Sequence, residues 1–278
     1  MKNPVLLIAC DDRAGLVHAV TGVMLKAGVN IVSNHEFVEE ESRRFFMRTE
    51  FEGLVDFEKL HQDVRAVLPQ GAEVSARPPA LPRLVILVSK EHHCLADLLV
   101  RHAFGELHGR ILAVAGNHEV LRPLAEKFDI PFLFADSEGV SRETHEAKLV
   151  ELIAPLKPDY LVLAKYMRIL SAAFVSRWPE RIINIHHSFL PAFAGAKPYH
   201  QAFQRGVKVI GATAHFVTPD LDAGPILVQQ VIPVDHTHTP QELARSGRDV
   251  EQMALSKAMR LVLESRVFIC NNRTIIFD

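Results

Sequence analysis

Asn184 and His186 stand two residues apart in the run Arg181-Ile182-Ile183-Asn184-Ile185-His186. In an extended strand, alternate side chains leave the same face, so an amide and an imidazole are presented side by side. Such a pair can hydrogen-bond one carbonyl oxygen as it gains negative charge, and the imidazole can also carry a proton. Pro191 blocks simple continuation into a helix, so the pair is expected at a strand end. Further along, residues 212–217 read as a strand, and Thr218-Pro219-Asp220-Leu221-Asp222-Ala223-Gly224-Pro225 as a loop rich in turn formers. If this loop folds back over the strand ends, Asp222 reaches His186 and either orients the imidazole or accepts a proton from water. Residue types alone leave plainer alternatives open: a structural Asn-x-His pair, and Asp220 and Asp222 as turn residues bonding nearby amides. His186, His187, His200 and His215 with Asp222 lack the i, i+4 helical spacing of a zinc site, and no metal is expected.

The elements that must position these groups fall on two sides of a proline-rich stretch. Pro78, Pro79 and Pro82 remove amide donors and hold the backbone extended. Residues 78–83 are therefore read as a linker between an N-terminal domain, 1–77, and a C-terminal domain, 84–278. The first shows a short apolar strand at 5–9 and a polar turn, then Leu16, Val17, Val20, Val23, Met24 and Ala27 at helical spacing. Two strands, a second amphipathic helix and a last strand follow. This βαββαβ order is that of a ferredoxin-like sandwich. In the second domain, residues 84–88 form an almost uninterrupted apolar strand, as expected when helices cover both faces. Strands and helices then alternate, with a helix read at 119–128, which argues for a Rossmann-like, mostly parallel, doubly wound sheet. The fold class is α/β, and ligands are expected beyond the carboxyl ends of the strands. Near the C-terminus, Val250, Met253, Ala254, Ala258, Leu261 and Val262 read as the core stripe of a helix. Trp178 is read as packing.

Composition excludes several classes. A formal net charge of -2 over 278 residues gives no electrostatic case for nucleic acid. No apolar run approaches the ~20 residues that cross a bilayer, and the N-terminus runs straight into a strand without a signal-peptide pattern. Cys10, Cys94 and Cys270 are widely spaced and odd in number, which suggests neither a disulfide framework nor a thiolate metal site. The expectation is a cytoplasmic protein with no membrane or nucleic-acid partner.

At the candidate residues the chain resembles the formyltetrahydrofolate-dependent formyltransferase family. Asn184-Ile-His186-His-Ser-Phe-Leu-Pro191 is similar to its Asn-x-His-x-Ser-Leu-Leu-Pro signature, and Gly211-Ala-Thr213-Ala-His215-Phe-Val217 through Asp222-Ala-Gly224-Pro225 to its second. The resemblance implies that Asn184, His186 and Asp222 are the catalytic trio. It implies that the backbone of Met167, Arg168, Ile169 and Leu170 holds the pterin ring, and that the loop Thr218, Pro219, Asp220, Leu221 and Asp222 closes over it. His215 is placed between supporting that site and bonding a loop. Within the family the chain is similar to the deformylase subgroup, through His186-His187-Ser188-Phe189-Leu190-Pro191-Ala192-Phe193, Gly195-Ala196-Lys197-Pro198-Tyr199-His200, Gly247-Arg248-Asp249 and Asn272-Arg273-Thr274-Ile275-Ile276-Phe277. Lys197 and Tyr199 stand as pocket gates or turn caps. The implied reaction is hydrolysis of 10-formyltetrahydrofolate to tetrahydrofolate and formate, feeding purine biosynthesis and balancing one-carbon folate pools. Folate is then the substrate, and no cofactor is expected.

The turn after the first strand of the second domain, Ser89-Lys90-Glu91-His92-His93, lacks the glycines with which the glycinamide ribonucleotide formyltransferases cradle a phosphate, and Glu91 repels one. That disfavours a nucleotide amine as acceptor and leaves water. His92 departs from the glycine common in the deformylase subgroup. In the first domain, Asp12-Arg13-Ala14-Gly15-Leu16-Val17 and Phe45-Phe46-Met47-Arg48 resemble an ACT domain. The resemblance implies a homo-oligomer, dimer or tetramer, and an amino-acid effector at Asp11, Asp12, Arg13, Ala14 and Gly15, where helix N-terminal amides favour a carboxylate. Two rivals remain: a formyltransferase to an unphosphorylated amine, and a non-catalytic folate or amino-acid sensor.

Overall fold

The structure is a computed structural model that describes residues 3–191 and 198–278. The chain divides into two compact units. Met1–Ala80 forms one together with Ser265–Phe268 and Ile275–Asp278; Leu81–Glu264 and Ile269–Thr274 form the other.

In the first unit, β1 (Val5–Asp11), α1 (Leu16–Lys26), β2 (Asn30–Glu39), β3 (Arg44–Glu52), α2 (Phe57–Val67) and β4 (Glu73–Arg77) follow the expected βαββαβ order. The strands form a four-stranded sheet of order β2-β3-β1-β4, with β3 antiparallel to β1 and β2, and β4 antiparallel to β1. Strand alternation sends Leu6, Ile8 and Cys10 of β1 and Phe45, Met47 and Phe51 of β3 into one core. Leu16, Val20, Val23 and Met24 of α1 and Leu60 and Val64 of α2 close it. Asp56 starts α2 by accepting from the Glu58 and Lys59 amides at 3.0 and 3.1 Å, a cap worth about 1 kcal/mol.

The other sheet face carries Phe46 and Arg48, both almost fully buried. The chain terminus covers them. Arg48 Nε donates to the Ser265 carbonyl at 3.0 Å, and Phe46 meets Phe268 edge-on at 5.4 Å, which in turn meets Phe277 at 5.8 Å. Residues 265–268 and 275–278 thus depart from a second domain running unbroken over 84–278, because this sheet is apolar on both faces and needs a second cover.

The second unit contains β5 (Arg83–Val88), α3 (His93–Ala103), β6 (Arg110–Gly116), α4 (Arg122–Glu126), β7 (Phe132–Phe134), α5 (Arg142–Ile153), β8 (Tyr160–Leu163), α6 (Ala172–Val175), β9 (Ile182–His186), α7 (Pro198–Arg205), β10 (Val209–Phe216), β11 (Ile226–Pro233) and α8 (Pro240–Leu263). A final hairpin, β12 (Val267–Cys270) and β13 (Arg273–Ile276), ends the chain. The seven-stranded sheet runs β11-β10-β9-β8-β5-β6-β7. The five strands from β9 to β7 are parallel, and β10 is antiparallel to β9 and β11. β5 is buried from Leu84 to Val88, as its apolar run requires.

From β5 the chain winds outward through β6 and β7, then returns to β5's other side at β8. The switch point therefore lies between β5 and β8, and the crevice beyond their carboxyl ends is where such sheets receive ligands. Two expectations need correction. The helix expected at 119–128 is a 3₁₀ turn followed by the short α4, because Pro123 cannot donate to the preceding turn. Met253 is 49% exposed and leaves the α8 core stripe, while Val250, Ala254, Ala258, Leu261 and Val262 stay in it. Trp178 packs on Phe174 at 5.1 Å.

Candidate active site

β9 and β10 pair antiparallel so that Asn184 lies opposite His215, and His186 opposite Thr213. Cross-strand neighbours touch, and Asn184 Nδ2 lies 3.2 Å from His215 Nε2. In the β10–β11 pairing Ala214 faces Val228 and His215 faces Ile226, so the extra residue of the irregularity, Leu227, lies on β11. His215 Nδ1 donates to the Phe216 carbonyl at 2.8 Å, which leaves Nε2 facing the Asn184 amide. The buried Thr213 hydroxyl donates to the Ser188 carbonyl at 2.9 Å and accepts from the Leu190 amide at 3.1 Å. The turn that follows His186 is thereby pinned to β10.

The loop after β10 does fold back. Phe216 N donates to the Pro225 carbonyl at 2.9 Å, and Val217 N to the Ile182 carbonyl at 2.8 Å. Between them Asp222 adopts a left-handed backbone, φ 54°. Outside glycine, asparagine and aspartate tolerate that region best. Its Oδ2 lies 3.3 Å from His186 Nδ1, and its Oδ1 3.6 Å from His215 Nε2. The loop is braced from outside as well: Asn272 Nδ2 donates to the Ala223 carbonyl at 2.9 Å, and the Thr274 hydroxyl to the Ile226 carbonyl at 2.6 Å.

Gly224 permits this closure, since a Cβ there would stand 1.9 Å from the Phe216 carbonyl oxygen. Gly224→Ala must push the loop outward and carry Asp222 with it. The expected outcome is at least a ~10-fold lower kcat/KM, with a lower melting temperature, measured by steady-state kinetics and thermal unfolding.

Four polar groups thus meet at one sheet end: Asn184, His186, His215 and Asp222. Hydrogen bonding from His186 holds the Asp222 carboxyl well below the usual carboxylate range, against the opposing effect of burial. A carboxylate only accepts, so His186 presents its Nδ1 hydrogen to Asp222. His186 Nε2 is then the open atom: it is buried and has no hydrogen-bond partner among the described residues. A buried nitrogen left in that state costs free energy and calls for a functional explanation. His187 stacks its ring on His186 at 4.9 Å and lies 6.5 Å from Tyr199.

The expected pterin segment follows β8, the strand beside β9. Met167 and Ile169 are exposed, each at 58%, while Leu170 is buried. The Met167 amide donates to Ser89 Oγ at 3.0 Å. Met167 and Arg168 line a cavity of about 610 Å³ with Ser89, Asn117 and Ser137. Asn184, His186 and Asp222 are not among its described lining residues. Leu221 is exposed, and the Thr218 hydroxyl donates to the Asp220 carbonyl at 3.1 Å, which shapes the loop internally. Pro219 is exposed. Ala192, Phe193, Gly195, Ala196 and Lys197 lie outside the described residues.

Two groups of polar residues have pairings that residue spacing does not signal. His145 Nε2 lies 2.5 Å from the Tyr166 hydroxyl, and Glu146 accepts from the Ser171 amide at 2.7 Å and from its hydroxyl. Adjacent residues of α5 therefore clamp both ends of the Met167–Leu170 segment. The second group gathers on Glu251 of α8, which binds His93, Lys165 and Tyr199. Its one sequence signal is a carboxylate adjoining an apolar helical stripe. His93, Cys94 and Glu251 have the spacing of a metal site, but the Lys165 ammonium already stands 3.1 Å from the carboxylate, and burial pushes the Cys94 thiol up.

Burial opposes ionisation of Glu251, but the His93 hydrogen bond and the Lys165 charge outweigh it and bring its pKa down to about 2. A depressed carboxyl pKa contributes stability that is present above the unfolded value and is lost as pH falls toward the folded one. Thermal stability is thus expected to fall between pH ~4.5 and ~2, and less steeply in Glu251→Gln; superimposable pH–melting curves would count against the ionised cluster.

Comparison with known proteins accords with this architecture. A family model for an ACT domain matches residues 4–68, and one described as formyl transferase matches residues 82–259. A formyltetrahydrofolate deformylase from Escherichia coli O6:H1 is 52% identical over 276 residues, covering 99% of each chain. The chain belongs to the formyltetrahydrofolate deformylase family. The crystal structure of a formyltetrahydrofolate deformylase from Pseudomonas syringae pv. tomato superposes with a TM-score of 0.95 at 38% identity, covering all of this chain and 95% of that one. Another, from Burkholderia mallei, gives 0.94 at 39% identity with full coverage of both. An ACT domain and a formyltransferase fold thus occur in one chain.

Proposed function

We propose that the protein hydrolyses 10-formyltetrahydrofolate to tetrahydrofolate and formate, with Asn184, His186 and Asp222 as catalytic residues. The supporting observation is the open His186 Nε2, backed through Nδ1 by an ionised Asp222 and placed beside the Asn184 amide.

The formyl oxygen sits between Asn184 and His186, with water held against the carbonyl carbon by Asp222. As the water oxygen bonds to carbon, its proton passes to the Asp222–His186 pair, and the C=O electrons move onto oxygen. One Asn184 amide hydrogen is directed at His215; the second donates to this oxyanion, as does the protonated Nε2. Collapse breaks the C–N bond, the electron pair leaves on the folate nitrogen, and His186 returns a proton to it. Met167, Arg168, Ile169 and Leu170 hold the pterin, Thr218 to Leu221 close over it, and His215 steadies Asn184. The folate is substrate, and the chemistry asks for no metal or further cofactor.

Purified protein incubated with 10-formyltetrahydrofolate and no amine is expected to release formate and tetrahydrofolate in equal amounts. Release only after adding an amine would establish a formyltransferase, and tight binding without turnover a sensor.

We assign regulation to the first unit. Gly15 begins α1 with φ 90° and no side-chain cap, leaving the first amides of the helix open to a carboxylate, while Arg13 is engaged with the Val67 carbonyl at 2.8 Å. The proposed effector is a small amino acid bound at Asp11 to Gly15 in a dimer or tetramer. Activity unaltered by millimolar glycine or methionine would contradict it. No helix among the described residues is long and apolar enough to cross a membrane. The proposed setting is the cytoplasm, where the formate supplies purine biosynthesis.

A further inference from the structure

Apart from the proposed catalytic cluster, a second buried polar group among the described residues lies just beyond the carboxyl ends of β5 and β8. Glu251 is 1% exposed. Its Oε2 meets His93 Nε2 at 2.6 Å and Lys165 Nζ at 3.1 Å, and its Oε1 accepts from the Tyr199 hydroxyl at 2.7 Å. Three partners, from α3, the segment after β8 and α7, converge on one carboxylate.

Each tie leads toward the proposed site. Lys165 follows β8 and stands two residues before Met167. Its backbone is left-handed, φ 63°, a conformation that lysine rarely adopts and that needs the surroundings to hold it. The ammonium, itself buried, supplies that hold by its contact with Glu251. Tyr199 lies in the first turn of α7, and its ring approaches His187, which stacks on His186. α8 is cut away to admit this tyrosine: a Cβ at Gly247, one turn before Glu251, would come within 2.1 Å of the Tyr199 ring. A buried ion cluster is seldom the most stable filling for such a space, since apolar residues of equal volume often do as well. Orientation is what it adds.

We propose that Glu251 is a positioning residue for the hydrolysis: it sets the Met167–Leu170 segment through Lys165, and the His187–His186 wall through Tyr199. This rests on the functions proposed above for that segment and for His186. The two arms are separable. Lys165→Met is expected to weaken equilibrium binding of tetrahydrofolate, read by calorimetry, by ~10-fold or more, with kcat changed far less. Tyr199→Phe, which keeps the ring, is expected to lower kcat by ~10-fold with KM within about twofold. Glu251→Gln is expected to show both losses and a lower melting temperature.

The double variant Lys165→Met/Glu251→Gln separates positioning from stability. Removing both charges leaves no unpaired ion, so its melting temperature is expected to recover relative to Glu251→Gln while tetrahydrofolate binding stays weak. Binding within twofold of wild type in Glu251→Gln, or binding that recovers together with stability in the double variant, would overturn the proposal. The calorimetric arm does not need turnover, so a protein that binds tetrahydrofolate but releases no formate would sink the hydrolase assignment and with it the Tyr199 arm, while the Lys165 arm is still decided by binding.

Discussion

Asp222→Asn is expected to lower kcat/KM by about 100- to 1,000-fold while leaving a folded protein. The substitution keeps the shape and removes the charge. Asparagine tolerates the left-handed backbone that position 222 requires, so the loop need not move. Its amide oxygen can still accept from His186 Nδ1. What disappears is the negative charge that His186 and His215 face at 3.3 and 3.6 Å, and with it the stabilisation of a protonated His186 and the proton acceptor for water. The loss is therefore expected in kcat, with KM changed little. Turnover within tenfold of wild type, in a variant with wild-type folate affinity, would remove Asp222 from the mechanism.

Asn184→Ala is expected to cost about 100-fold or more in kcat. The amide sits on a strand whose packing is carried by Ile182, Ile183 and Ile185, all nearly fully buried, so truncation removes a donor without opening the core. His215 loses its 3.2 Å neighbour but keeps its Phe216 carbonyl, and its ring stays in register. Asn184→Asp tests the sign of the interaction, because an acceptor then faces the developing oxyanion. It is expected to be at least as damaging as alanine. Steady-state kinetics with a melting curve distinguishes either result from misfolding.

Much of this arrangement is legible in the residues. The strand period alone places Asn184 and His186 on one face, and the turn formers around Asp222 mark a loop able to return. Direction is harder to read. That the loop closes over β9 depends on Gly224 meeting the Phe216 carbonyl, and glycine in a turn signals many geometries. The irregularity at Leu227 of β11, opposite Ala214 and His215, has no side-chain signature at all. Phe45-Phe46-Met47 is more informative in retrospect: consecutive apolar residues in a strand imply burial on both faces, and the cover for Phe46 comes from the far end of the chain. Long-range cover of that kind cannot be inferred from periodicity. Glu251 shows the same limit, since a carboxylate beside Val250 signals a buried partner without saying that His93, Lys165 and Tyr199 supply it.

The most direct test is a single turnover in ¹⁸O-enriched water, with enzyme in excess of 10-formyltetrahydrofolate and every amine omitted. Direct attack by water at the formyl carbon puts one labelled oxygen into each formate released, at a rate that collapses in Asp222→Asn. Formate that forms without label, or a wild-type enzyme that holds the folate and releases nothing until an amine is supplied, would contradict hydrolysis at this cluster.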